Sequence, residues 1–411
     1  MSLVIKNCSM IDEEGEWDVK IKDGEIAEIG EELYGSQELE GKGKYLSPGM
    51  VNTHTHGAMT LLRGYADDLP LDEWLQDKIW PLESKLTAED VYWGTKLACL
   101  EMIKSGTVAF NDMYFFMESA ARAVEDMGMK ATLSYGFIDM GDKDKLEKEK
   151  QETLDFIDKL KDVKNVRPAL GPHATYTVSR EGLQWCAEIS RKKNIPIHIH
   201  LAETEKEIKD HKKEHGVSVT EYLDRLDVLT ENTTAAHCVW LNKQDIERLA
   251  QRDVVVSHCP ISNMKLGVGK AMDYRAMKNA GVRITLGTDG CASNNNLDMF
   301  EEVKAAALLH KLEGDTTLLP AEEAYQMATR DSLNTGGGAV EVGKSADLIL
   351  IKKGVPDHDI ISDMVYLFSG YSVTDTIVDG RVLMRDRRVE GEELIKEKAY
   401  YHARKLVSEV L

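Results

Sequence analysis

Between Leu46 and Asn334, short apolar strands alternate eight times with longer helical segments, and this alternation narrows the fold more than any other feature of the chain. Strands are predicted at 46–53, 107–112, 130–137, 166–171, 195–201, 233–239, 253–258 and 282–288. The intervening segments, such as 88–106, carry apolar residues at helical spacing and close on a glycine, here Gly106. Parallel neighbours need such crossovers, so the pattern predicts an α/β protein. Eight units fit a (β/α)8 TIM-type barrel. A doubly wound open sheet would give the same pattern and stays open at this point.

The flanks differ. Residues 2–8 and 17–30 alternate apolar with polar side chains and turn at Asp23-Gly24, a hairpin signal. Past Gly343 strands return at 346–351 and 373–383, ahead of a helix from about 391 to 410. Neither flank alone has enough strands to bury a face. The expected organisation is a composite β domain from 1–46 and 344–411, with a barrel over 47–343.

Fifty-one basic against 71 acidic side chains give a net charge of −20. That disfavours nucleic acid and anionic membranes as partners. No apolar run of about 18 residues could span a bilayer, and the first residues do not read as a signal peptide. The six cysteines are scattered with no CxxC pair, the usage of reduced thiols, and a cytoplasmic location is expected.

Chemistry gathers at the predicted strand ends. In Val51-Asn52-Thr53-His54-Thr55-His56-Gly57 the two imidazoles fall on one face of a strand, roughly 7 Å apart, and could converge on one divalent cation. Alone, such a pair more commonly just packs or meets solvent. It has company. His200 ends the fifth strand with Glu203 three residues on, His237 ends the sixth, and Asp289 ends the eighth. Barrels carry their chemistry at this C-terminal mouth, and so many polar groups there argue against coincidence.

These residues sit in runs that resemble the amidohydrolase superfamily. Within it the chain is similar to the 5′-methylthioadenosine/S-adenosylhomocysteine deaminases and the related 5′-deoxyadenosine deaminases. The marks are Gly49-Met50-Val51-Asn52-Thr53-His54-Thr55-His56, Trp80-Pro81-Leu82-Glu83, Gly171-Pro172-His173-Ala174, His198-Ile199-His200-Leu201-Ala202-Glu203-Thr204, Ser257-His258-Cys259-Pro260 and Gly287-Thr288-Asp289-Gly290.

The resemblance implies hydrolytic deamination of adenosine derivatives (5′-deoxyadenosine, 5′-methylthioadenosine, S-adenosylhomocysteine and adenosine itself) to the inosine analogues and ammonia. It implies one divalent metal per chain, zinc or else iron(II), held by His54, His56, His200 and Asp289. His237 would orient or help deprotonate a water, Asp289 would carry its proton to the leaving amine, and Glu203 would protonate purine N1. Glu83 would accept two ribose hydroxyls and His173 would touch the substrate, with Glu203 and Asp289 also facing it. Trp80 and Ser293 are weaker candidates for the pocket wall. His198, one pleat below His200, reads as an interior residue and not a ligand. Relatives with two metals carry a lysine at the end of strand four. Here Pro168-Ala169-Leu170-Gly171-Pro172-His173 has none, which favours one metal. A nucleoside substrate and a homo-oligomer are the partners expected.

Two other classes stay open: hydrolysis or deamination of another heterocycle on the same scaffold, and a non-catalytic metal- or nucleotide-binding protein. Gly338-Ala339-Val340-Glu341-Val342-Gly343-Lys344-Ser345 matches the phosphate-loop pattern, but a strand is predicted after it instead of a helix, so coincidence is expected. The relatives that favour S-adenosylhomocysteine place arginines just after the third strand to clamp its carboxylate. This chain has no arginine between Arg122 and Arg167, so small uncharged 5′ groups are expected to be handled at least as well.

Overall fold

The computed structural model of the protein describes residues 2–409 except 12, 13, 313, 331, 335 and 357, and of Asp72 the backbone alone. The opening strands are β1 (Ser2–Met10), β2 (Trp17–Lys22), β3 (Glu25–Gly30), β4 (Gln37–Glu40) and β5 (Lys44–Pro48). The middle of the chain adds β6 (Met50–His56), β7 (Thr107–Tyr114), β8 (Lys130–Phe137), β9 (Val166–Pro172), β10 (Ile197–Leu201), β11 (Thr233–His237), β12 (Val255–His258), β13 (Arg283–Leu286) and the two-residue β14 (Asp289–Gly290). The last strands are β15 (Leu348–Lys352), β16 (Val373–Val378), β17 (Arg381–Arg385) and β18 (Arg388–Val389).

From β6 to β13 each strand pairs in parallel with the next, and β14, continuing from β13, pairs in parallel with β6. This closes the sheet into a barrel. Across the seam, the Thr53 hydroxyl donates to the Leu286 carbonyl at 2.8 Å and lies 2.8 Å from Thr285 Oγ1. Such strands are covered on both faces and read as apolar runs, and every residue of β7 is buried. The doubly wound alternative is excluded by the closure. Helix Ala88–Ser105 begins with a reciprocal Thr87–Asp90 cap and stops where Gly106 adopts φ +86°.

The second sheet runs β18-β17-β16-β15-β5-β1-β2-β3, with β4 beside β1, so both chain ends build it. The β2–β3 hairpin turns at Asp23 and Gly24, both at positive φ, as a two-residue turn of matching twist requires. The terminal helix Glu392–Ser408 leaves this sheet and packs on the barrel helix Ala88–Ser105. There His402 Nδ1 lies 2.6 Å from Asp90 Oδ1, and Lys104 donates to Glu392 at 2.6 Å.

The predicted strand 46–53 is two strands in different sheets. β5 pairs with β1 and β15, whereas β6 pairs with β7 and β14. The break falls where Pro48 has no N–H to donate, and a Cβ on Gly49 would lie 2.2 Å from Val108. The run 338–345 is a loop whose end is tied to β3. Ile26 N–H donates to the Lys344 carbonyl, Gly343 N–H donates to the Ile26 carbonyl, and β15 follows. It has no helix to present to a phosphate, as its sequence context predicts.

Candidate active site

The sequence-selected residues meet at the C-terminal mouth of the barrel. His54 and His56 come from β6, His200 from β10, His237 from the end of β11 and Asp289 from β14. His173 and Glu203 follow β9 and β10 directly, and Glu83 reaches in from the short helix Trp80–Glu83. Several strand ends are bent to do this. Ala202 (φ +54°), His237 (φ +71°) and Asp289 (φ +62°) are left-handed without being glycine. Such strain persists where surrounding contacts over-determine it, commonly at functional sites. Gly287 brings the eighth strand against His54, since a Cβ there would lie 2.7 Å from His54 Cβ.

The donor atoms converge. His56 Nε2 lies 3.2 Å from His200 Nε2 and 3.3 Å from Asp289 Oδ1, and His54 Nε2 lies 3.5 Å from Asp289 Oδ1. His56 Nδ1 is spent on the Met113 carbonyl at 2.6 Å and His200 Nδ1 on the His173 carbonyl at 2.8 Å. A carbonyl only accepts, so both Nδ1 atoms carry the proton and both Nε2 atoms are left as lone pairs facing each other. His54 Nε2 is buried with no hydrogen-bond partner. Lone pairs aimed at one point repel unless a cation shares them, and three imidazoles with one carboxylate are a donor set for one divalent ion. His237 Nε2 belongs to the same group through His54 and Asp289. Its Nδ1 is held 2.9 Å from Asn263 Oδ1. Asp289 Oδ2 accepts from Ser262 (2.6 Å) and Ser293 (3.0 Å), and Oδ1 accepts from Gly290 N–H.

Burial sets the charges. It pushes the His54 imidazole down to about 4 and His173 to about 3, and His200 well below its usual range, so all three are neutral at pH 7. Asp289 is also buried, yet the surrounding imidazoles of His54, His56 and His237 hold it well below the usual carboxylate range. Glu203 goes the other way, raised by burial with Asp289 adding to the shift. Its Oε2 lies 3.9 Å from His237 Nε2, and His237 is held up by Glu203 and Asp289 although burial pulls it down. Two buried carboxyls that both face His237 are thus pushed in opposite directions. That is the arrangement of a proton acceptor beside a proton donor.

Above these groups opens a cleft. Glu83, its carboxyl raised to about 7 by burial, lines it with His173, Trp80, Tyr114 and an apolar wall that includes Leu75, Phe115 and Ile138. No lysine or arginine lines it among the described residues. Ser293 binds Asp289 and so supports the donor set from behind, while Trp80 is in the wall. His198 lies beneath, bonded to His54.

Sequence reading did not single out Tyr114, Asn263, Ser262 or the Met113 carbonyl. Asn263 and Ser262 do follow the quoted Ser257-His258-Cys259-Pro260 run, but nothing in their spacing aims them at the mouth. His258 from that run points away from the site, 3.3 Å from His310.

A family model described as the amidohydrolase family matches residues 45–383, and the chain belongs to that family. It is 52% identical over 379 residues to a 5′-deoxyadenosine deaminase of Methanoregula boonei, covering 90% of this chain and 86% of the relative. It is 48% identical over 421 residues to 5-methylthioadenosine/S-adenosylhomocysteine deaminase 1 of Archaeoglobus fulgidus, covering 98% and 99%. The crystal structure of an adenosine deaminase from Xanthomonas campestris with bound zinc superposes with a TM-score of 0.93 at 31% identity, over 99% of this chain and 98% of that one.

Proposed function

We propose that this protein hydrolytically deaminates adenosine derivatives, among them 5′-deoxyadenosine, 5′-methylthioadenosine, S-adenosylhomocysteine and adenosine, to the inosine analogues and ammonia. The observation that carries the reading is the pairing of a buried Glu203, its carboxyl pushed up by burial, with Asp289, its carboxyl held down by the surrounding imidazoles, at a converging three-imidazole donor set. The deaminases to which the chain is about half identical support the substrate class.

His54, His56, His200 and Asp289 would hold one divalent metal per chain. Zinc suits these donors and is the ion named for the Xanthomonas enzyme. When bound, such an ion supplies Lewis acidity and lowers the pKa of a water toward about 7. The protein's own groups then handle the protons. Asp289, with His237 orienting the water, takes a proton as the oxygen adds to C6. Glu203 donates to purine N1, which makes C6 more electrophilic and leaves it tetrahedral. Asp289 returns its proton to the amine, ammonia departs, and the remaining hydroxyl proton restores Glu203. Glu83 has two carboxylate oxygens for the two vicinal ribose hydroxyls, and His173 would contact the base from the neighbouring strand end.

The apolar wall and the missing cation suit a small uncharged 5′ group. In the same reading, 47–343 is the catalytic barrel, and 1–46 with 344–411 is its β appendage. The protein is cytoplasmic and homo-oligomeric; all six cysteines are free and buried, as in a reducing compartment. No described helix is long and apolar enough to cross a membrane.

The test is ammonia release from a panel of adenosine, its 5′-deoxy, 5′-methylthio and homocysteinyl derivatives, guanine and cytosine. Turnover of the adenosine group is expected. Activity on guanine or cytosine alone would overturn the reading.

A further inference from the structure

Glu207 lies outside the groups that touch the donor set, yet its carboxylate is committed to the backbone that carries Glu203. Its Oε1 accepts from Ala202 N–H at 3.1 Å and its Oε2 from Glu203 N–H at 2.8 Å. These are the first two N–H groups beyond the last ladder residue of β10, Leu201, which pairs with His237. At Ala202 the chain turns left-handed, and the Ala202 carbonyl is tied to the next strand end by Val239 N–H (3.0 Å) and Trp240 N–H (2.8 Å). The turn that aims Glu203 is thus held from both sides, by the segment after β11 through its carbonyl and by Glu207 through its amides.

Helix capping does not explain this carboxylate. Glu207 is the third residue of the helix Glu205–His215, and the Thr204 side chain caps that helix by accepting from Glu207 N–H at 3.2 Å. In a reciprocal cap a glutamate here would reach back to the N–H of Thr204 itself. Instead it passes over that group to the two residues before it. The position is also an unfavourable one for a second acid. Burial raises the Glu207 carboxyl to about 7, and the nearby Glu203 adds to the shift. Two oxygens at that spacing each accept one amide of the turn, which a side chain with a single acceptor cannot do.

We propose that Glu207 is a positioning residue that acts through Glu203: by accepting both amides of the 202–203 turn, it fixes the direction from which Glu203 delivers its proton to the substrate. The inference rests on the reading of Glu203 as the proton donor. It goes beyond that reading by assigning the turn's geometry to a side chain that never meets the substrate.

The experiment is a double-variant cycle on metal-loaded enzyme, with Glu203→Gln, Glu207→Gln and both together. Glu207→Gln replaces one acceptor oxygen by an N–H₂ that faces an N–H, which loosens the turn. It is expected to lower kcat by roughly tenfold to a hundredfold, the cost of a misaimed reacting group, with KM within about threefold and the metal content unchanged. In the double variant the rate is expected to equal that of Glu203→Gln alone within about twofold, because a loosened turn no longer matters once the proton donor is gone. Losses that multiply, loss of the metal, or a wild-type kcat in Glu207→Gln would each overturn the proposal. Near-normal turnover of Glu203→Gln would instead overturn the proton-donor reading. If Glu207→Gln does not fold, Glu207→Asp, too short to span both amides, carries the same cycle and the same expected split.

Discussion

His198 Nε2 lies 2.8 Å from His54 Nδ1, and that bond decides which nitrogen of His54 is free at the site. On its far side His198 Nδ1 lies 3.2 Å from Ser134 Oγ, and the Ser134 hydroxyl donates to the Asp112 carbonyl at 2.8 Å. Ser134 therefore accepts from His198 Nδ1–H, and His198 Nε2 accepts from His54 Nδ1–H. His54 Nε2 is left bare toward His56, His200 and Asp289. A chain of four groups on four strands, β6, β10, β8 and β7, fixes one tautomer.

His198→Phe keeps the bulk and removes the acceptor, so His54 can take the other tautomer. Affinity for Zn²⁺, measured by competition with a chromophoric chelator, is expected to fall about 10- to 100-fold. An unchanged affinity would show that the relay does not matter.

One equivalent of metal per chain is expected in fully loaded protein, because the donors converge on one point and β9 carries no lysine. His54→Ala and Asp289→Ala are each expected to abolish binding. Elemental analysis giving two equivalents in the barrel would refute a single-metal centre.

Glu203→Gln is expected to retain the metal and the substrate while losing about 10²- to 10⁴-fold in kcat, the usual range for a general acid. Metal content should be untouched in that variant, because Glu203 is not among the residues that would hold the ion, and this separates a lost proton from a lost site.

Stability should report on Glu302, which is fully buried, accepts from Asn294 Nδ2 at 2.5 Å and has its carboxyl pushed by burial up to about 8 from the usual 4.5. The folded state then holds a proton that the unfolded state has released, so this group's contribution is complete below pH 4.5 and is lost as pH rises through 8. Glu302→Gln removes that dependence. Its stability relative to the wild type, from urea midpoints, is expected to rise between pH 5 and pH 9, on the order of a few kcal/mol. A difference that is flat with pH would mean that Glu302 is ionised in the fold.

At the 5′ end of the nucleoside, the cleft has an apolar wall and no lysine or arginine among the described residues. A hydrogen bond to a charged group contributes roughly 1.5 to 3 kcal/mol, so without a clamp S-adenosylhomocysteine loses at least about tenfold in discrimination. The expected ratio of kcat/KM for 5′-deoxyadenosine over S-adenosylhomocysteine, in one preparation, is one or greater. A hundredfold preference for S-adenosylhomocysteine would require a cation from elsewhere, such as a second copy of the chain.

Much of this was legible in the linear sequence because it is written in period and position. The eightfold alternation gave a parallel α/β architecture that fits a barrel, since each strand–helix unit can bury its apolar face only beside the next one, and the pairing of β14 with β6 excluded the open sheet. His54 and His56 share a face because pleats alternate, and His200, His237 and Asp289 lie at strand ends because barrel strands all point to one mouth. Tertiary structure alone decided the rest, because those features depend on distance and direction and not on order along the chain. The split of 46–53 into β5 and β6 falls where Gly49 packs so close to Val108, 59 residues away in number, that no Cβ would fit. The opposite shifts of Glu203 and Asp289 follow from burial, which wins at Glu203, and from the imidazoles of His54, His56 and His237, which win at Asp289. The bare nitrogen of His54 depends on Ser134, and the aim of Glu203 on a left-handed turn at Ala202 that an alanine does not announce. Periodicity selects which residues face a site, whereas packing and burial set the proton each one carries.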